Sequence, residues 1–120
     1  MRANPRETLC RAIAAVCRFY GLSLDEFFSG DKARRVAWPR QAAIAVARGR
    51  GVPTVLIAAM LRCSHSYCPH AVRAVGDRKI YEPGYAEEMG TLDMLMEHPL
   101  ADGAEVECWL EQRRGEVCHG

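Results

Sequence analysis

Helix starts and stops punctuate this chain at short intervals, and no stretch shows the alternation of a strand, so short helices are what its apolar residues must pack into. Asn4-Pro5-Arg6-Glu7 opens the first helix, with Asn4 as N-cap, Pro5 at the first helical position and Glu7 completing a capping box. Leu9, Ile13, Val16, Cys17 and Tyr20 then recur at spacings of three and four, the face of one helix, until Gly21 ends it. Ser23-Leu24-Asp25-Glu26 is a second capping box. It predicts a short helix with Leu24, Phe27 and Phe28 inward, stopped near Gly30. A third helix is predicted from about Pro39 to Arg48, where Ala42, Ala43, Ala45 and Ala47 permit close packing before Gly49 and Gly51 break it. Pro53-Thr54 opens a fourth, with Val55, Leu56, Ile57, Met60 and Leu61 apolar. The expected fold class is all-α.

At 120 residues, 49% of them hydrophobic, the chain has the material for one small domain or a domain with an appendage. No apolar run approaches the roughly 18 residues of a membrane span. The start, Met1-Arg2-Ala3-Asn4-Pro5, has no signal-peptide core, and the expected location is the cytoplasm. Six cysteines are present; Cys10 and Cys17 share the apolar face of the first helix and read as buried free thiols.

The net charge of +1 conceals a division. Residues 1–76 carry twelve Lys/Arg against four Asp/Glu, a net +8; residues 77–120 carry four against eleven, a net −7. This suggests a module for a polyanion, residues 1–76, followed by an acidic extension, residues 77–120. The strongest basic stretch is Asp31-Lys-Ala-Arg-Arg-Val-Ala-Trp-Pro-Arg-Gln41. With Pro39 at the first helical position, Lys32, Arg34 and Arg35 precede the third helix, and Arg40 and Gln41 fall in its first turn. Backbone amides there, ringed by cations, make a phosphate clamp. Trp38 is expected to plug the helix junction rather than stack on a base.

Arg62-Cys63-Ser64 connects the fourth helix to a fifth. In the fifth, Cys68, Ala71, Val72 and Val75 fall at helical spacing on the core side, and His65, Ser66, Pro69, His70 and Arg73 lie on the other. A short helix, a tight turn and a second helix with a polar outer face is a helix-turn-helix pattern. Pro69 favours Ser66 as the cap, since a proline at the third helical position loses no intrahelical bond. Beyond Gly76 the character changes: Tyr81-Glu-Pro-Gly-Tyr85 reads as a loop. Met89, Leu92, Leu95 and Met96 mark a short helix, and Val106, Trp109 and Leu110 mark a last amphipathic helix before a ragged end from Gly115 to Gly120.

With these elements in order, residues 7–75 resemble the C-terminal DNA-binding domain of the bacterial replication initiator DnaA, a Trp-repressor-like helical bundle. Lys32-Ala-Arg-Arg-Val-Ala-Trp-Pro-Arg-Gln41 is similar to that family's R-S-R-x-V-A-x-P-R-Q loop. Ser64-His-Ser-Tyr-Cys-Pro-His-Ala-Val-Arg73 is similar to its D-H-S-T-V-x-H-A-x-x-K signature. The resemblance implies a role for each matching residue. Lys32, with Arg34 beside it, enters the minor groove. Arg40, Gln41, Arg48 and His70 contact the backbone. Ser64, His65 and Ser66, with Tyr67 in place of a threonine, form the tip that reads the major groove. The chain departs from the family where Arg62 and Cys63 replace a Gly-Gly turn, where Lys32 replaces an arginine, and at Pro69.

The expected function is sequence-specific binding of double-stranded DNA by a stand-alone module, a small regulator of transcription or replication that fits a phage or prophage origin. The initiator's ATPase is missing, since no Gly-x-x-x-x-Gly-Lys-Ser/Thr motif is present, and no cofactor is expected. No enzyme is expected either, because the carboxylates cluster in the extension without acid–base pairing. The alternative is a protein-interaction adaptor on the same fold. Cys63, His65, Cys68 and His70 are zinc-competent, but their spacing fits no common finger and the helix turns Cys68 away from the histidines, so no metal is expected. The extension is a candidate surface for a protein partner or self-association, and it would compete with DNA if it lay near the basic face.

Overall fold

The computed structural model describes residues 4–119, with side chains through Arg113. Seven helices follow in order: α1 Pro5–Tyr20, α2 Leu24–Phe27, α3 Arg34–Gly49, α4 Thr54–Leu61, α5 Tyr67–Tyr81, α6 Tyr85–Leu95 and α7 Gly103–His119. No strand is present among the described residues. The all-α expectation therefore holds, and no described helix is long and apolar enough to cross a membrane.

Helix α1 is the spine. Asn4 caps it by accepting the Arg6 N–H at 2.8 Å rather than through a reciprocal box with Glu7, and Gly21 closes it at φ 68°. The predicted stripe is buried from Leu9 to Cys17, with Tyr20 half-buried at its end, and Ala12, Ala14 and Ala15 between its members are buried too. The reason is that α1 packs against α3 and α7 at once and touches α6 as well. Fully burying a side chain such as Leu9 or Ile13 contributes about 2 kcal/mol. Gly103 sits where α7 crosses α1; a Cβ there would lie 3.1 Å from Cys10 Cβ, so the smallest residue sets the closeness of approach. In α2 both bonds of the Ser23–Glu26 capping box form, at 3.0 and 3.1 Å.

The start of α3 differs from the prediction. Ala33 is the N-cap, and Pro39 lies inside the helix. The Val36 and Ala37 amides both bond to the Ala33 carbonyl, at 2.9 and 2.8 Å. An interior proline costs about 3 kcal/mol in an isolated helix. Here Val36 and Pro39 are buried in the core, and this packing carries the helix across the proline.

The fifth helix starts after Ser66, placing Pro69 at the third position as expected; Ser66 itself makes no side-chain cap bond. Cys68, Ala71 and Val75 are buried, whereas Val72, expected in the core, is 39% exposed. Helix α5 passes without a break through Gly76, the expected boundary. Met89, Leu92, Met96, Ala101 and Val106 share one buried cluster with α1 and α3. Helix α7 continues to His119, into the stretch expected to be ragged.

Several acidic residues of the second segment meet arginines of the first. Glu107 pairs with Arg6 at 2.6 Å, and Arg50 takes Asp93 and Glu97, each at 2.9 Å. Arg11 and Arg18 donate to the carbonyls of Met96 and Leu100. Part of the charge division seen in the sequence is thus spent inside the fold.

Candidate nucleic-acid interface

The α4–turn–α5 unit presents its polar side outward. Ser64, His65, Ser66, His70 and Arg73 are exposed, and Tyr67 is half-buried against the core with its ring 6.0 Å from that of His70. The Ser64 and Ser66 hydroxyls are 3.1 Å apart. Arg62 ends α4 in the left-handed region, at φ 55° and ψ 46°. This tight reversal stands where the resembled family has glycines.

The basic stretch divides into free and engaged cations. Lys32 is exposed, with no hydrogen-bond or ion-pair partner among the described residues. Arg34, also exposed, lies over Trp38 at 3.7 Å from the ring centroid, and Arg78 lies 3.9 Å from the same centroid. Trp38 is therefore half-buried under two guanidinium groups and packed on the core, a structural plug as expected. Arg35 pairs with Glu26. The Arg40 guanidinium donates to the carbonyls of Phe27 at 3.4 Å and Asp31 at 3.1 Å. Gln41 is buried and accepts a hydrogen bond from Arg78.

These positions correct the clamp expected at the start of α3. Arg40 and Gln41 lie in its second turn, away from the free amides of the tip. Arg40 ties the loop to the end of α2, and Gln41 faces the interior, so Gln41 has no surface to offer a phosphate.

Arg48, at the far end of α3, is exposed and donates to the Val52 carbonyl at 2.7 Å. It stands near the start of α5. Burial pushes the Cys68 thiol up to about 11, helped by the neighbouring Cys63, and the Arg48 charge pulls the other way. Cys68 is buried while His65 and His70 are exposed, and no three His, Cys, Asp or Glu side chains gather as metal ligands among the described residues. Cys118 and His119 are of residue types that could add ligands, and their side chains lie outside the described residues.

Lys32, Arg40, Ser64 and Tyr67 border one cleft, so the basic stretch and the turn before α5 share a side of the molecule. Arg62 lies on the same cleft. Sequence reasoning treated it only as a substitute for a glycine; a cation held in a glycine-type turn next to Ser64 was the available signal. Arg73 was placed on the outer face but given no role. It is exposed and, like Lys32, without a partner among the described residues.

Comparison with protein-family models, with curated proteins and with solved structures finds no match to this chain.

Proposed function

We propose that this chain is a stand-alone, sequence-specific module for double-stranded DNA, built like the C-terminal domain of the initiator DnaA and acting as a small regulator of transcription or replication. The observation that carries this reading is the face of α5 and its preceding turn. His65, Ser66, His70 and Arg73 are exposed together, while Cys68, Ala71 and Val75 anchor the same helix in the core.

In this reading α5 lies in the major groove, and Ser64, His65, Ser66 and Tyr67 read base edges. Arg48, His70 and Arg73 hold phosphates and set register without reading sequence. Lys32, with Arg34, reaches the neighbouring minor groove. Arg40 holds the loop in place, and Gln41 belongs to the core.

A second reading has a specific observation in its favour. Arg6, Arg50 and Arg113 are paired within the fold, which leaves a smaller basic surface than the sequence promises. A protein-interaction adaptor on the same bundle would need no more.

Selection from random duplexes at moderate salt separates the two. The full chain should enrich one motif, and Lys32→Ala/His65→Ala should lose it while melting like the parent. Both positions are exposed and make no side-chain bond. Absence of enrichment by the parent would overturn DNA reading and leave the adaptor.

A further inference from the structure

The sequence reading gave no role to the space between α2, α4 and α7. There the structure has a cleft of about 1000 Å³, the upper end of the range of about 300–1,000 Å³ usual for small-molecule pockets. Its apolar surface comes from three elements: Phe28 at the end of α2, Leu56 and Met60 on α4, and Trp109 on α7. Phe28 and Trp109 stack with centroids 4.5 Å apart and planes 13° from parallel, giving one wall a flat aromatic surface.

The polar lining is of one sign. Arg6, Lys32, Arg40, Arg62 and Arg113 border the cleft, and among the described residues no Asp or Glu does. Arg6 and Arg113 have carboxylate partners, Glu107 and Asp25. Lys32 and Arg62 have none among the described residues, and Arg40 donates only to carbonyls. Charge left uncompensated around an apolar, aromatic hollow selects an occupant that is itself apolar with an anionic end. A neutral hydrocarbon would leave the cations unanswered, and a hydrophilic anion would leave the aromatic wall wet.

We infer that this cleft is a binding site for a monomeric amphiphilic anion, an aliphatic or aryl chain ending in a carboxylate or phosphate. The chain lies against Phe28, Leu56, Met60 and Trp109, and Lys32 and Arg62 take the anionic end. This site does not depend on the DNA reading. It does touch Ser64 and Tyr67, so an occupant would bear on the same turn.

The test uses the full chain without DNA and titrates sodium decanoate, below its micellar concentration, by calorimetry and by protein NMR shifts. Decanol and decyltrimethylammonium are the neutral and cationic controls. Decanoate should saturate at one per chain, about tenfold tighter than either control, as expected for a charge-assisted contact. Lys32→Gln/Arg62→Gln should bring decanoate down to the level of decanol. Ala59→Trp, placed at an exposed position of α4 on the cleft, should abolish saturation without lowering the melting temperature.

Equal binding of decanol, or decanoate binding untouched by a folded Ala59→Trp, would overturn the site. Anionic phospholipid vesicles and an acidic amphipathic peptide form the remaining arms. Capture of either without monomer binding would also overturn it, assigning the cleft to a bilayer surface or a helical partner.

Discussion

Arg6 and Glu107, 101 positions apart in the chain, meet as a two-pronged pair, with Nε 2.6 Å from Oε1 and Nη2 3.2 Å from Oε2. The Cys10 thiol donates to the same Oε1 at 3.2 Å. The first turn of α1 and the second turn of α7 are thereby joined near the Gly103 crossing, and the acidic segment is held to the spine of the fold. Both partners are about 40% exposed, with side chains at 38% and 42%, so solvent screens the pair. Glu107→Gln should therefore cost only about 1 kcal/mol, measured by urea unfolding at low salt, and less at high salt. A loss independent of salt would mean that packing, not charge, fastens α7.

The buried thiols predict an alkaline limit to stability. Burial pushes Cys10 and Cys17 from an ordinary 9.0 up to about 12, and the bond to Glu107 adds to the effect at Cys10. Burial and the hydrogen bond to Glu88 raise the Tyr20 hydroxyl in the same direction. Below pH 9 folded and unfolded chains both keep the thiol protons. Above it the unfolded chain releases them first, so the stability that the neutral thiols contribute is lost as pH rises from about 9 to about 12. Urea midpoints should fall steadily over that interval, and Cys10→Ala/Cys17→Ala should flatten the fall. In peptide-resolved labelling at pH 8, exposed Cys108 should react at once, while Cys10 and Cys17 react only as the fold opens.

The elements most legible in the sequence are those whose signals are local. The Ser23–Glu26 box, the Gly21 stop and the start of α5 that puts Pro69 at its third position depend on a few adjacent residues, and each stands where expected, although Ser66 makes no cap bond. Pro39 misled because the preference for a first-turn proline is a statement about isolated helices. Here the burial of Val36 and Pro39 decides where α3 begins. Gln41 was illegible for a related reason: its partner, Arg78, lies 37 positions away in the segment read as an appendage. The candidate interface was legible on α5, where periodicity separates core from surface. It was not legible in the basic stretch, where a cation free to meet phosphate and one tied to a carbonyl look alike.

Gln41 and Lys32 should accordingly fail in different ways. Gln41→Ala removes the acceptor of a half-buried guanidinium whose Nη1 already has no hydrogen-bond partner among the described residues, and it should cost about 1–3 kcal/mol of folding stability. DNA affinity of the protein that remains folded should be unchanged. Lys32→Ala should leave the urea midpoint in place and weaken DNA binding, lowering the slope of log affinity against log salt by about one. Urea titration and fluorescence anisotropy on one preparation of each variant check both halves. A stable Gln41→Ala with impaired DNA binding would return that residue to the interface.

Arg62 combines the two kinds of effect in one residue. Its left-handed backbone, at φ 55°, is strained for any residue with a Cβ, by about 1–2 kcal/mol. Glycine relieves that strain but adds freedom to the unfolded chain, at about 0.5–1 kcal/mol. Arg62→Gly should therefore raise stability modestly, by up to about 1 kcal/mol. The same change removes a cation beside the turn proposed to read DNA, so under that proposal phosphate attraction should weaken on every sequence alike, again with about one unit less salt slope. Arg62→Ala provides the control: it loses the same charge but keeps the strained turn, so its DNA affinity should match that of Arg62→Gly while its stability falls below it. If the alanine and glycine variants bound DNA with clearly different affinities, the shape of the α4–α5 turn, rather than the charge it carries, would be what positions α5 on DNA.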